Sequence, residues 1–179
     1  MSNGWMRKSR NLSLILALLV TSGLLAFGQD PPKVQEYPFE GSWSATGTRQ
    51  VLAMGPDRKA VIIYMSGSLL LTVQENLNRG FRWEAVGFDD GADVSLGECV
   101  WTDDRGDQIF SDMRGQALAT GKHFRGVITG GTGRYAGFTG EFEFDWQYVV
   151  EGPDGTVQGR TMGFKGVVRR GAPAVKVAP

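Results

Sequence analysis

Apolar and polar residues alternate along most of this chain with a period of two, in short runs separated by Gly, Asp and Asn. In the clearest run, residues 141–148, every second residue is aromatic. This is the spacing of a β-strand, because successive side chains of a strand point to opposite faces. No window from Gly41 onwards has the i, i+3, i+4 spacing of an amphipathic helix. The pattern therefore predicts an all-β protein.

Eight such runs are separated by turn residues. Asp-Asp-Arg-Gly-Asp at 103–107 and Gly-Pro-Asp-Gly at 152–155 are typical of tight turns. Strands joined by short turns pair antiparallel, and eight of them close most economically into an up-and-down, calycin-like barrel with no exposed edge. The predicted strands are 42–52, 60–73 with a break at Gly67 left open, 81–88, 94–102, 108–114, 122–129, 138–150 and 157–169.

The N-terminus has the pattern of an export signal. Three basic residues at positions 7–10 precede an apolar stretch at 12–27, and we expect cleavage before Gln29. A retained membrane anchor is the alternative, although the stretch falls short of the ~18–20 residues that span a bilayer. The predicted product is periplasmic or secreted, with no stable membrane insertion after cleavage.

Composition divides the rest of the chain. Three prolines and no periodicity mark 29–40 as an extended linker, and the residues after Arg170 have the composition of a flexible tail. The predicted organisation is a signal peptide at 1–28, a linker at 29–40, one barrel domain at 41–169 and a tail at 170–179.

Charge and cysteine content limit the function classes. The chain has 19 Lys+Arg and 19 Asp+Glu, and three of the cations lie in the predicted signal, so the exported part is mildly acidic. Nucleic acid is therefore not an expected partner. Cys99 is the only cysteine, which excludes an internal disulfide. It is predicted to be a small buried hydrophobe, with an intermolecular disulfide or a reactive thiol as alternatives.

Aromatic residues supply the candidate binding site. Four of them share one face of the predicted strand 138–150, opposite a face of charged and polar residues. This face is barrel core, the wall of a small-molecule cavity or an oligomer interface, because an eight-stranded barrel holds either its own side chains or one small ligand. The candidate lumen residues are Phe142, Phe144, Trp146, Tyr148, Tyr135, Trp101 and Trp83.

No catalytic constellation stands out, and the catalytic residues are unknown. His123 is the only histidine and has no partner at a recognisable spacing. Glu84 and Glu98 would be acids with a raised pKa only if they pointed into an apolar lumen. Asp103, Asp104 and Asp107 fit a hairpin turn better than a calcium loop, so neither a metal nor a cofactor is predicted.

The segment Val-Ile-Thr-Gly-Gly-Thr-Gly-Arg-Tyr-Ala-Gly-Phe-Thr-Gly at 127–140 resembles the Gly-Gly-Thr-Gly-x-aromatic turn of allene oxide cyclase-like and dirigent-like barrels. Residues 100–110 are similar to exported bacterial members, and the resemblance covers 41–169. It implies a cavity for a hydrophobic molecule and a homotrimer. Gly131, Gly133, Tyr135 and Gly137 match the motif as structural residues.

Three functions are consistent with these features. The first is an exported barrel that binds a small hydrophobic or aromatic ligand in its lumen without catalysis. The second is a cyclase or isomerase of a lipophilic substrate, using shape together with Glu84, Glu98 or His123. The third is a structural envelope protein whose barrel is filled and whose outer surface contacts a partner.

Overall fold

A computed structural model describes residues 34–73, 77–91, 94–118 and 121–171, with side chains at all of these except 73, 77 and 78. Eight antiparallel strands pair in chain order and β8 closes on β1, which confirms the predicted up-and-down barrel. Within these residues, no helix is long and apolar enough to cross a membrane. The elements are β1 (Gln35–Ala53), β2 (Lys59–Val73), β3 (Leu77–Asp89), β4 (Ser95–Thr102), β5 (Gln108–Leu118), β6 (Gly121–Gly131), the 3-10 turn η1 (Gly133–Tyr135), β7 (Phe138–Glu151) and β8 (Thr156–Arg170).

The first strand begins earlier than the sequence predicts. β1 starts at Gln35, so residues 35–40 of the predicted linker pair with β8. Pro38 lies near the start of β1 opposite Val167 of β8, and within the described residues the pairing of β1 with β2 begins at Phe39. Proline is tolerated near the start of a strand, where fewer ladder hydrogen bonds need its missing N–H. β2 is one continuous strand through Gly67. The predicted signal peptide, residues 29–33 and 172–179 lie outside the described residues.

One bulge changes which residues of β8 face inward. Gly163 has φ +62, a left-handed conformation that glycine adopts easily, and the β7–β8 register shifts at this point. Thr161 and Phe164 are both buried although they are three residues apart. Beside the bulge, the Thr161 hydroxyl accepts a hydrogen bond from the Trp43 backbone N–H at 2.8 Å. The register of β1 against β8 shifts between Gly41 and Ser44, and this side-chain bond takes the place of a backbone hydrogen bond of the ladder at Trp43.

Inward-facing glycines make room for aromatic rings. A Cβ atom at Gly126 would overlap the ring of Phe142, and one at Gly159 would overlap the indole of Trp146. The rings therefore lie across the neighbouring strand, and this close approach requires the absence of a side chain there.

Candidate functional site

The lumen contains nearly all of the predicted site residues. Six of the seven are buried, and Tyr148 is half-buried near the β7–β8 turn. The buried six are Trp83, Trp101, Tyr135, Phe142, Phe144 and Trp146.

Aromatic rings from opposite walls meet in the middle of the barrel. Trp83 of β3 lies 5.8 Å from Phe142 of β7, and Trp101 of β4 lies 6.2 Å from Phe164 of β8, between ring centroids. These strands are four apart in a ring of eight and therefore lie across the lumen from each other. Trp43 stacks on Trp83 at 4.2 Å. The aromatic face is thus barrel core, and side chains fill the central part of the lumen.

Tyr135 closes one end of the barrel. Its ring packs against Phe81 and Phe138, and burial together with the nearby Asp103 carboxylate raises the pKa of Tyr135 to about 12. The adjacent Arg134 holds η1 on the β4–β5 turn, because its Nε and Nη2 donate to Asp103 Oδ2 at 2.8 and 2.5 Å. The motif at 127–140 is a structural closure in this molecule.

The Asp103 carboxylate is fully engaged. Its side chain is 2% exposed, and Oδ1 accepts the backbone N–H groups of Arg105 and Asp107 at 2.8 and 3.0 Å. Desolvation alone would raise the pKa of Asp103, but the hydrogen bonds from Arg134 and these backbone groups outweigh it and lower the pKa to about 2. The 103–107 segment therefore acts as a turn that is fastened to η1.

Several buried polar atoms of the described residues have no hydrogen-bond partner. An unpaired buried donor costs on the order of 1–3 kcal/mol, so such atoms point to an ordered water or a bound acceptor. The indole N–H groups are the most notable because they come from stacked rings in the core. The atoms are Trp43 Nε1, Trp83 Nε1, Trp101 Nε1, Ser111 Oγ, Tyr135 Oη and Thr139 Oγ1.

At the end of the barrel opposite Tyr135, Lys122, Asp89 and Ser95 form a polar trio that the sequence analysis did not predict. Lys122 Nζ contacts the Asp89 carboxylate and donates to Ser95 Oγ at 2.7 Å, and Ser95 Oγ donates to Asp89 Oδ2 at 3.1 Å. Desolvation lowers the pKa of Lys122. The alternation of the strand could have predicted this position, because Lys122 lies two residues before Phe124 and therefore shares its inward face. The trio links β3, β4 and β6.

The three candidate acid–base residues lie on the outer wall, away from the lumen. Tyr64 Oη donates to Glu84 Oε1 at 2.9 Å, Glu98 is exposed, and His123 Nδ1 lies 2.7 Å from Asp145 Oδ1. The possibility that Glu84 or Glu98 points into the lumen is therefore wrong. Each precedes an inward residue, and alternation turns both outward.

Cys99 faces the core. It is buried, and burial raises the pKa of its thiol to about 12. A buried thiol with a raised pKa is unreactive. This position confirms the prediction of a small buried hydrophobe.

Charged residues on the β6–β8 side of the outer wall form cross-strand ion pairs. Arg169 bridges Glu36 and Glu141 at 2.7 and 2.9 Å, and Lys165 lies 3.1 Å from Glu143. Pairs of this kind are solvated and contribute little to stability, but they neutralise these charges within the chain.

The outer wall of β2–β5 is different. Ile62 is opposite Phe88, and Phe88 is opposite Leu96, so three exposed apolar side chains form one row. A shallow groove of about 360 Å³ crosses the same wall beside this row. We call the following residues the outer patch: Ile62, Tyr64, Val86, Phe88, Leu96, Val100 and Phe110.

Comparison with known proteins gives no match to a protein-family model, a curated protein or a solved structure. The chemistry of the chain itself is therefore what bears on function.

Proposed function

We propose that this protein is an exported, non-catalytic β-barrel that binds a macromolecular partner through the outer patch. One contrast carries the proposal: rings from opposite walls occupy the lumen, while large apolar side chains are exposed outside, with Ile62 61% and Phe88 44% accessible. Contiguous exposed apolar surface on a soluble domain marks a site of interaction. Export rests on the N-terminal sequence.

The same contrast weakens the cyclase or isomerase alternative. A reaction on a lipophilic substrate in the lumen needs both space and a polar group that faces the substrate. Glu84, Glu98 and His123 lie on the outer wall, and the inward Lys122 is bound to Asp89 and Ser95.

The proposal is tested by the size of the complex that the full chain forms in gentle extracts of the cells that produce it. Phe88→Asp places a charge in the patch, and Val149→Asp places one on an exposed β7 valine of the opposite wall as a matched control. We expect a species larger than the monomer for the wild type and Val149→Asp, and the monomer alone for Phe88→Asp. Equal sizes for all three would overturn the proposal.

A second candidate function, a ligand in the lumen, is favoured by the unpaired indole N–H groups of Trp43, Trp83 and Trp101. A bound acceptor would relieve the cost of burying these donors. Native mass spectrometry of the purified protein, with tryptophan fluorescence titrations against hydrophobic compounds, tests this candidate. A retained small-molecule mass that persists in Phe88→Asp would favour it over the outer patch.

A further inference from the structure

We infer that the partner of the outer patch is a second copy of this chain, packed patch against patch about a two-fold axis. The inference rests on the proposed function and names the occupant of the same surface. Its basis is the distribution of apolar and charged groups on β2–β5.

The register places twelve outward positions of β2–β5 in three rows. One row runs Ile62, Phe88, Leu96, Arg114; the next runs Tyr64, Val86, Glu98, Asp112; the third runs Ser66, Glu84, Val100, Phe110. With strands ~4.8 Å apart and rows ~6.6 Å apart, the grid covers on the order of 400 Å². A standard interface buries about 800 Å² per partner, so the grid is large enough for the apolar centre and would need a polar rim.

Three of the four charges on this grid are not neutralised within the described residues, and the fourth, Glu84, pairs with Arg82 at 2.9 Å. Glu98 faces Asp112 across β4–β5, and Arg114 faces Arg125 across β5–β6. Among the described residues, Glu98, Asp112 and Arg114 form no ion pair, whereas Glu141, Glu143, Lys165 and Arg169 on β7 and β8 are all paired with opposite charges. Like charges directly opposite each other in a sheet are destabilising.

Both signs of charge occur beside the same apolar centre, and this arrangement favours a second copy of the chain as the partner. In a two-fold interface one patch meets itself, so it must carry both members of every complementary pair. Here a partner's Arg114 can face Glu98 or Asp112 while Ile62, Phe88 and Leu96 pack on their symmetry mates. A cyclic trimer would require two different complementary surfaces on each chain.

The test is sedimentation equilibrium, at several concentrations, of the protein purified from the cells that export it. We expect a reversible dimer, with association weakened at least tenfold by Glu98→Arg and by Arg114→Glu, because each leaves like charges facing across the axis. Both side chains are exposed, so folding should be unchanged. The double variant exchanges the two charges and should restore most of the association. Val149→Asp is the control and should associate as the wild type does.

Other outcomes overturn the inference. A monomer at every concentration would overturn it, and so would a dimer that the charge variants and Phe88→Asp leave intact. A trimer that Phe88→Asp dissociates would reject the two-fold arrangement while keeping the patch as the contact. If the purified protein is monomeric but Phe88→Asp still abolishes the larger species in cell extracts, the second copy is excluded and the proposed function stands. If the extract also contains only monomer, both fail.

An introduced thiol gives an independent measurement. The native Cys99 is buried and does not react, so a Leu96→Cys variant carries a single accessible thiol. We expect rapid formation of a disulfide-linked dimer under mild oxidation, and much slower formation for a Val149→Cys control. Equal rates for the two variants would contradict a patch-to-patch contact.

Discussion

At the scale of single residues, Asp103 makes the most directly testable contribution. The ordinary pKa near 3.8 falls to about 2 in the folded protein, so the ionised form is favoured by folding. The stability that this shift contributes is present above about pH 4 and is lost as the pH falls through about 2. Asp103→Asn should therefore cost on the order of 1–2 kcal/mol at pH 7 and progressively less below pH 4.

Urea unfolding at a series of pH values measures this effect. Asp104→Asn is the control, because the Asp104 side chain is 83% exposed and meets the same arginine from solvent. We expect the control to change stability by less than about 0.5 kcal/mol at every pH. A pH-independent cost for Asp103→Asn would show that the ion pair with Arg134 is not the source.

At the scale of elements, the packing of one strand against the next depends on glycine. Gly126→Ala would place a methyl carbon closer to Cζ of Phe142 than van der Waals contact allows, so the ring or the strands β6 and β7 would have to move apart. We expect a loss of about 1–3 kcal/mol in chemical unfolding, as for other overpacked cores. Gly80→Ala is the matched control on β3, since its nearest neighbour would be Leu70 Cδ2 at an ordinary 3.7 Å. A similar loss for both would indicate an effect on the strand backbone.

At the scale of the whole molecule, the filled lumen predicts how the barrel responds to a cavity. Trp83 has no solvent exposure and contacts rings from β1, β4, β7 and β8. Trp83→Ala should cost roughly 3–5 kcal/mol and leave an apolar space. Added indole should then raise the melting temperature of the variant and leave that of the wild type unchanged. Stabilisation of the wild type by indole would indicate an existing ligand site.

Strand class, strand number and the buried aromatic residues could be predicted from local pattern. The run 141–148 alternates so regularly that Phe142, Phe144 and Trp146 could be assigned to one face without a structure. The same rule, applied to 122–128, would have placed Lys122 inside. The predicted start of β1 was too late because Pro38 was interpreted as part of a linker, although proline also occurs near the start of a strand.

The sequence by itself determined an eight-stranded antiparallel barrel with an aromatic interior, because alternation and turn chemistry are local properties of the chain. Tertiary structure alone decided that the rings meet across the lumen, since contact between β3 and β7 depends on barrel closure. Strand register also decides which residues of β8 face inward on either side of Gly163. It likewise brings Ile62, Phe88 and Leu96 together into one patch. Register is set by the pairing of distant segments, which no single stretch of sequence encodes.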